Sequence, residues 1–393
     1  MKLKLDRTQR QAKGLGKWSK SGFSGIFQYP TGFGKTFTAI RAIKGMIKKE
    51  NIETVLVVVP TIELRKQWLE ELKKHKIKIA KVYVINTASK RDFDVDLLIL
   101  DEIHRYAADT FKLVFENTVY KYVLGLTATL VRSDGMHELI LDYLKVVDTI
   151  TVNEALENGW ISEYTIYNIA IPMDPEDLEA YTKANNSFKY FASQLGGKFD
   201  AFRTAQEWIN SDDSAEKGKA AAYYNAMRKR KDICLNNVNK VQAVKDIIDH
   251  LEDRNGLIFS ANTKFADMIQ EVLGPIAMTF HSKLKKKELD YVMKRFKDKR
   301  TKVRFLSTVK ALNEGLDVPG ACLGIVSGGT SSRIAFIQQL GRIVRFVEGK
   351  KAIMINLYTP ETQEEAWLKK RTIDINPELI VNCSLEEFLK IEN

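Results

Sequence analysis

The stretch FQYPTGFGKT, residues 27–36, decides how the first half of this chain folds. A short apolar segment precedes it, and a helix-like segment with regularly spaced isoleucines follows it. Gly32 and Gly34 allow a tight turn whose N–H groups point into one concavity, and the start of the following helix adds its positive dipole end. Lys35 can reach the β- and γ-phosphates of a nucleotide, and the Thr36 hydroxyl can ligate Mg²⁺. The stretch therefore predicts a nucleoside triphosphate site between a strand and a helix.

One position departs from the usual pattern of a phosphate loop. The glycine expected five residues before Gly34 is Tyr29. A glycine-rich turn before a helix can also be purely structural, but Gly-Lys-Thr at the helix start favours nucleotide binding. Thr31 lies in the same turn, so we include it in the predicted nucleotide site.

Length, charge and cysteine content limit the class of protein. The chain has 393 residues, enough for two or three domains, and a formal net charge of +11. That charge suggests a polyanionic partner, most simply nucleic acid, although it can also serve solubility alone. The three cysteines are far apart, which is typical of a reducing cytosol rather than of a zinc site or a disulfide framework. No apolar run is long enough for a signal peptide or a membrane span, so we expect a soluble cytoplasmic protein.

The first half of the chain alternates apolar strands with helical segments. Predicted strands cover residues 54–59, 81–85, 96–100 and 120–126. This alternation predicts a doubly wound parallel sheet, in which ligands bind at the carboxyl ends of the strands. Lys35, Asp101 and Thr127 all fall at that edge.

The tetrapeptide DEIH follows the third of these strands. Asp101 can hold Mg²⁺ through a water, and Glu102 can orient and deprotonate the attacking water. His104 is placed to bond either across to the segment of Thr127 and Thr129 or to the second domain, as a residue that couples hydrolysis to movement. A tetrapeptide of this composition alone would more often be an acidic surface turn. Its position after an apolar strand, and downstream of a Gly-Lys-Thr turn, favours catalysis.

The amino-terminal segment contains two glutamines, Gln9 and Gln11, that are candidates for recognising the adenine base. A glutamine amide can donate to the adenine edge and accept from it at once. A solvated helix face is the alternative for either residue taken singly.

In their order and spacing, the motifs of the whole chain resemble those of superfamily-two DExH helicases. PTGFGKT (30–36), VVVPTIELRKQW (57–68), LILDEIH (98–104) and GLTATLVRSDG (125–135) resemble motifs I, Ia, II and III. IFS (258–260), ALNEGLDVP (311–319) and QQLGRIVR (338–345) resemble motifs IV, V and VI. Within the superfamily, the chain looks most like the XPB-type repair helicases and the phage UvsW-type branch-migration helicases. Tyr29, Ser133 and Gln339 are departures from the common residues of these motifs.

The resemblance implies two tandem RecA-like domains, each with a doubly wound parallel sheet. The expected segments are 1–150 for the first domain, 151–235 for a helical insertion, 236–360 for the second domain and 361–393 for a helical tail. The insertion interleaves aromatic and basic residues. Such residues can form either a nucleic-acid clamp or a small core of the insertion itself.

The resemblance also assigns site residues by position. Arg342 and Arg345 are one helical turn apart and would stabilise charge on the γ-phosphate, as arginine fingers do. The implied catalytic residues are Lys35, Asp101, Glu102, Arg342 and Arg345. The implied ATP-binding residues are Gln9, Thr31, Gly32, Gly34, Lys35, Thr36, Gly315 and Asp317, with Thr36 and Asp101 at the Mg²⁺. The implied coupling residues are His104, Thr127, Thr129 and Gln338, and the implied nucleic-acid contacts are Thr61, Thr87, Arg132 and Thr308.

The function implied is an ATP-dependent DNA helicase or translocase. It would move 3′→5′ on forked or branched DNA in replication, recombination or repair, as a monomeric motor that contacts the DNA backbone in a prokaryotic or phage-infected cytoplasm. Other replication or recombination proteins would be its protein partners. Three alternatives remain: a DExH RNA helicase, a nucleic-acid-binding protein switched by ATP, and the motor subunit of a nuclease complex.

Overall fold

The computed structural model describes residues 6–106, 108–130, 135, 137–197, 200–309, 318, 320–373 and 375–391. The expected site residues Arg132, Gly315 and Asp317 lie outside these ranges. The described residues form two parallel β-sheets whose strands alternate with helices. This confirms the α/β class with two tandem parallel-sheet domains.

Strands and helices alternate along most of the chain. The strands are β1 (Ser24–Gln28), β2 (Val55–Val59), β3 (Ala80–Val84), β4 (Phe93–Asp101), β5 (Thr118–Thr127), β6 (Val146–Thr149), β7 (Glu163–Ala170), β8 (Gly256–Phe259), β9 (Ala277–Phe280), β10 (Phe305–Thr308), β11 (Leu323–Val326), β12 (Lys351–Tyr358) and β13 (Ile380–Ser384). The α-helices are α1 (Arg7–Lys20), α2 (Lys35–Lys49), α3 (Ile62–Lys74), α4 (Ile85–Ala88), α5 (Ala108–Glu116), α6 (His137–Tyr143), α7 (Val152–Glu157), α8 (Pro175–Gln194), α9 (Ala201–Trp208), α10 (Ser214–Leu235), α11 (Asn239–His250), α12 (Thr263–Leu273), α13 (Lys286–Lys297), α14 (Arg333–Ile343), α15 (Gln363–Arg371) and α16 (Leu385–Phe388).

By its internal contacts the chain divides into two compact units. Unit 1 comprises Met1–Tyr164, Leu312–Cys322 and Ile334–Ala352, and unit 2 comprises Thr165–Ala311, Leu323–Arg333 and Ile353–Asn393. Nearly all of α14 thus belongs to unit 1, although the motif pattern assigns its residues to the second domain.

The sheet of unit 1 has the strand order β3-β2-β4-β5-β1-β6, and its strand pairs are parallel. All five residues of β2 are buried, as expected for a central strand covered on both faces. Gln28 pairs with Thr127, and Asp101 pairs with Leu126. The ends of β1, β4 and β5 are therefore level, which brings the phosphate loop, the DEIH turn and Thr127 to one edge of the sheet.

The sheet of unit 2 has the order β13-β7-β12-β11-β8-β10-β9. Its core includes Ile258 and Ile325 from the strands, with Ile247 of α11 and Phe265 of α12 packed against them. Among the described helices of the chain, none is long and apolar enough to span a membrane.

Two strands of unit 2 lie in segments that we expected to be helical. β7 falls within the 151–235 insertion and β13 within the 361–393 tail, and the two strands pair in parallel. β7 has the sequence EYTIYNIA and buries Tyr164, Ile166 and Asn168 in alternation, followed by Ile169. Because one buried residue is polar and the last two are adjacent, the sequence shows no clear two-residue period. β13 is only five residues long and mostly exposed, so it has almost no apolar pattern to recognise.

The helices of the insertion form a small core of their own. Leu195, Ala205, Ala220 and Tyr223 are buried there. The partly buried side chains packed against them are Phe188, Phe191, Trp208, Ile209, Tyr224 and Met227. Most of the aromatic residues in this segment therefore serve packing.

Candidate active site

The phosphate loop connects β1 to α2 at the carboxyl edge of the unit 1 sheet. Gly32 and Gly34 have φ angles of +87° and +101°, a region in which residues with a Cβ are strained. The side chain of Lys35 is buried. Its Nζ lies 3.5 Å from the carbonyl oxygen of Tyr29 and 3.4 Å from Glu102 Oε1. The loop is therefore shaped for a phosphate, with its lysine held at the DEIH turn.

The DEIH turn begins at the last residue of β4. Asp101 Oδ2 accepts a hydrogen bond from Trp68 Nε1 at 2.7 Å, and its Oδ1 accepts one from the Glu102 N–H at 3.0 Å. The Tyr106 hydroxyl lies 2.8 Å from the Asp101 carbonyl oxygen. Glu102 has φ +48° and ψ +46°, a left-handed conformation that costs a non-glycine residue on the order of 1–3 kcal/mol. The turn thus holds the Glu102 carboxylate in place at the expense of local strain.

The two carboxylates of this turn have opposite pKa shifts. Burial raises the pKa of Asp101 to about 6, and the charge of Glu102 adds to this shift while Trp68 and Lys35 oppose it. Burial alone would also raise the pKa of Glu102, but Lys35 and His104 bring it below its usual value. Glu102 is therefore ionised at neutral pH, as a general base must be.

A polar chain leads from this turn to the segment after β5. His104 Nδ1 is 2.9 Å from Thr127 Oγ1 and 3.5 Å from Glu102 Oε2. Thr127 Oγ1 donates to the carbonyl of Thr129 at 2.6 Å and accepts from the Thr129 N–H at 3.2 Å. The structure thus brings together three of the predicted coupling residues, His104, Thr127 and Thr129.

A cavity of about 410 Å³ in unit 1 joins the phosphate loop, the DEIH turn and α14. It is lined by Arg7, Pro30, Thr31, Gly32, Gly34, Lys35, Thr36, Leu64, Gln67, Asp101, Glu102, Arg105, Gln338, Gly341, Arg342, Arg345 and Phe346. The predicted catalytic residues all lie on its wall, together with Gln338. Burial lowers the pKa of Arg342 to about 10, with Glu102 opposing the shift, so the guanidinium remains charged at neutral pH.

The close approach of α14 to the phosphate loop depends on glycine. A Cβ at Gly341 would lie 1.6 Å from Thr31 Oγ1, and one at Gly32 would lie 3.7 Å from Arg345 Cα. Thr31 Oγ1 also donates to the carbonyl of Ile337 at 3.3 Å. Gly341 therefore allows the arginine-bearing helix to pack directly against the loop.

The donor set on the cavity wall suits Mg²⁺. Asp101 and Thr36 offer one carboxylate and one hydroxyl. Within the described ranges there is no group of three or more His, Cys, Asp or Glu side chains that could hold a metal ion. Mg²⁺ usually takes one or two protein ligands and completes its shell with water and phosphate oxygens. The residues present therefore fit a nucleotide-bound Mg²⁺.

Several residues at the site are not apparent from the sequence motifs. Trp160 packs edge-on against Phe33 of the phosphate loop, with ring centroids 5.3 Å apart. Ser162 Oγ donates to the carbonyl of Arg345 at 3.1 Å and accepts from the Val347 N–H at 3.2 Å. These contacts hold both the phosphate loop and the segment that follows α14. No local pattern marks these residues, because their partners are distant in the chain.

The two glutamines of α1 have different positions. Gln9 is exposed, and its Oε1 accepts from the Asp6 N–H at 3.3 Å, which closes the amino-terminal cap of the helix. Gln11 is buried, and its Nε2 donates to the carbonyl of Phe33 in the phosphate loop at 3.4 Å. Arg7, rather than either glutamine, lines the cavity. The adenine-reading role of Gln9 stays a prediction.

The three predicted nucleic-acid contacts within the described residues lie at or just after strand ends. Thr61 follows β2 and caps α3, its hydroxyl accepting from the Leu64 N–H at 3.3 Å. Thr87 is exposed on α4, after β3. Thr308 ends β10 in unit 2, where it is buried.

Two family models match the chain. The family described as "Helicase conserved C-terminal domain" matches residues 239–347. The family described as "Type III restriction enzyme, res subunit" matches residues 2–93 and 77–132. Together the two matches fall on the segments that carry the motifs.

Curated relatives agree with these families. The DNA 3'-5' translocase XPB2 of Sulfurisphaera tokodaii is 28% identical, covering 94% of this chain and 85% of the relative. The DNA 3'-5' helicase XPB of Mycobacterium tuberculosis is 23% identical, covering 83% of this chain and 55% of the relative. A putative helicase of a Sulfolobus islandicus filamentous virus is 25% identical, covering 84% of this chain and 59% of the relative. The chain thus spans little more than half the length of the last two.

Solved structures show the same fold. The helicase domain of Pyrococcus furiosus Hef superposes with a TM-score of 0.57 at 18% identity, covering 93% of this chain and 99% of that one. Saccharomyces cerevisiae Dbp5 bound to RNA and ADP BeF3 gives a TM-score of 0.61 at 13% identity, covering 96% and 90%. The two family models, which together match more than half of the chain, and the XPB-type relatives identify the chain as a superfamily-two helicase and nucleic-acid-dependent ATPase that resembles the XPB type.

Proposed function

We propose that this protein is an ATP-driven DNA translocase that moves 3′→5′ and acts on forked or branched DNA. The ATPase activity is supported by one cavity whose wall combines Lys35, Glu102 and Arg342. The direction and the preference for DNA are supported by the two XPB-type relatives, which are named as a 3'-5' translocase and a 3'-5' helicase.

In the hydrolysis step, Lys35 and the N–H groups of the phosphate loop bind the β- and γ-phosphates. Glu102 orients a water in line with the P–O bond that bridges the β- and γ-phosphates. As the water oxygen attacks the γ-phosphorus, Glu102 accepts its proton, and the bridging bond breaks to release ADP. Arg342 and Arg345 stabilise the negative charge on the transferred group. Thr36 and Asp101 would hold Mg²⁺, which would neutralise charge on the phosphate oxygens when bound.

The state of the nucleotide is communicated through the polar chain of His104, Thr127 and Thr129. A change in the position of the Glu102 carboxylate alters the contact with His104 and hence the segment after β5. Nucleic acid binds through its phosphates along the strand-end residues, including Thr61 and Thr87. Such contacts give affinity that depends on salt and little on base sequence.

The decisive experiment measures ATPase activity and strand displacement on forked DNA, a four-way junction, plain duplex DNA and RNA. We expect the greatest stimulation by forked or four-way DNA. Lys35→Ala should abolish hydrolysis, and Glu102→Gln should bind ATP without turnover. Stronger stimulation by RNA would contradict the DNA assignment, and wild-type turnover by Lys35→Ala would contradict the site itself. Nucleotide-dependent DNA binding without any displacement or translocation would instead indicate a switch.

A further inference from the structure

A buried polar cluster lies behind the phosphate loop of unit 1, and no step of the proposed hydrolysis uses it. At its centre is the carboxylate of Asp148 on β6, a residue that is 2% exposed. Three side chains donate to this carboxylate: Tyr29 Oη at 2.7 Å, Lys17 Nζ at 2.5 Å and Arg10 Nη1 at 2.5 Å. Arg10 also donates to the Thr149 carbonyl at 2.9 Å. The cluster therefore ties α1, the residue after β1, and β6 together.

The hydroxyl of Tyr29 packs against α1 at a position where the helix has a glycine. Gly14 lies on the face of the helix that meets Tyr29, and a Cβ there would lie 2.0 Å from Tyr29 Oη and 2.8 Å from Asp148 Oδ2. Burial is the main cause that holds the pKa of Tyr29 well above its usual range, and the negative charge of Asp148 adds to it. The hydroxyl therefore keeps its proton. Glycine in the middle of a helix is unfavourable unless packing requires it, and here the tyrosine hydroxyl requires it.

Tyr29 is also in direct contact with the nucleotide-binding elements. Its carbonyl oxygen lies 3.5 Å from Lys35 Nζ, and its N–H donates to the carbonyl of Thr127 at 2.9 Å. Its ring stacks on Phe27 with centroids 5.0 Å apart and packs edge-on against Phe33 of the loop at 5.2 Å. A displacement of Tyr29 would therefore move the loop and the lysine together.

We infer that the Tyr29 hydroxyl, held by Asp148, is a positioning group that fixes the start of the phosphate loop for ATP binding. The inference rests on the proposed ATPase function. Where the general phosphate-loop pattern has a glycine, this chain has a tyrosine whose side chain anchors the position to Asp148. The anchor also sets the distance from the loop to α1, whose Arg7 lines the cavity.

The test is Tyr29→Phe, which keeps the ring and removes only the hydroxyl. Asp148 retains Arg10 and Lys17, so the variant should fold, as circular dichroism would verify. Because a hydrogen bond to a charged group is lost and part of that effect reaches the loop, we expect the KM for ATP to rise about three- to tenfold. The kcat should stay within about twofold, since the general base Glu102 and the two arginines, Arg342 and Arg345, make no contact with the Tyr29 hydroxyl. The Kd for a fluorescent ATP analogue should rise by the same factor.

Two further variants separate positioning from stability. Tyr181→Phe makes the same change at a buried tyrosine of unit 2, whose hydroxyl accepts from the Gln363 N–H at 2.8 Å, and should leave the KM unchanged. Gly14→Ala should displace the Tyr29 hydroxyl and raise the KM as Tyr29→Phe does. An unchanged KM and analogue Kd in Tyr29→Phe would overturn the inference even if its melting temperature falls. That outcome would leave the proposed function intact, because the function is tested separately by the Lys35→Ala variant and by the nucleic-acid panel.

Discussion

The hydrogen bond from Trp68 to Asp101 should set the acidic limit of the ATPase. Trp68 is 1% exposed and donates from Nε1 to Asp101 Oδ2 at 2.7 Å, so Trp68→Phe removes a donor from a buried carboxylate. A hydrogen bond to a charged group contributes about 1.5–3 kcal/mol, and one pKa unit corresponds to about 1.4 kcal/mol. We therefore expect the pKa of Asp101 to rise by about one to two units in the variant.

The pH dependence of kcat/KM is the appropriate assay, because it reports the ionisations of the free enzyme. In the proposed role as a ligand of Mg²⁺, Asp101 must be ionised, so activity should be present above its pKa and lost as the pH falls through it. In the wild type this loss should occur near the pKa of Asp101, about 6. In Trp68→Phe it should occur at higher pH, so that activity is reduced at pH 7 and recovers towards pH 9.

Trp18→Phe provides a matched control for this experiment. Trp18 is also 1% exposed, and its Nε1 donates at 3.0 Å to the carbonyl of Val123, a neutral acceptor away from the cavity. The control should lose stability through the same reduction in side-chain volume. The pH at which its kcat/KM falls on the acidic side should stay that of the wild type. If Trp68→Phe were destabilised but kept the wild-type pH profile, the reasoning about Asp101 would be refuted.

Two other predictions concern packing and a buried charge. Gly341→Ala should reduce the ATPase kcat at least tenfold at unchanged secondary structure, because the Cβ of the new alanine would lie 1.6 Å from Thr31 Oγ1. A wild-type rate would show that α14 need not approach the loop. Glu364→Ala leaves Lys240, which is 0% exposed and paired with it at 2.6 Å, without its counter-ion. Urea unfolding should show a loss of about 3–5 kcal/mol. The exposed Glu386→Ala should have no measurable effect, and equal losses in the two variants would contradict this argument.

The sequence predicted those parts of the site that depend on local backbone requirements. Two glycines with positive φ, a lysine at the start of a helix and an acidic pair at a strand end are each imposed within a few residues. Their meeting also follows from the sheet, because level carboxyl ends of parallel strands converge at one edge. Neither β7 nor β13 could be predicted from local backbone requirements. The two strands pair with each other across more than two hundred residues, and such pairing leaves only a weak pattern in the sequence of each strand.

The contacts that complete the site could not be predicted, because each joins residues that are distant in sequence. Trp68 is 33 residues from Asp101, and Ser162 is 183 residues from Arg345. The choice between Gln9 and Gln11 depended on which face of α1 meets the phosphate loop. Motif alignment favoured Gln9, but the fold places Gln11 beside the carbonyl of Phe33.

Tyr29 illustrates how such distant partners change the meaning of a motif. In the sequence it is a missing glycine, which counts against a phosphate loop. In the structure its hydroxyl binds Asp148, 119 residues later, and the space for that hydroxyl exists only because residue 14 has no side chain. The loop thus has tyrosine where the general pattern has glycine, and a glycine is required on the helix behind it. If the two positions are coupled as the contacts indicate, Gly14→Ala and Tyr29→Phe together should raise the KM for ATP no more than either does alone.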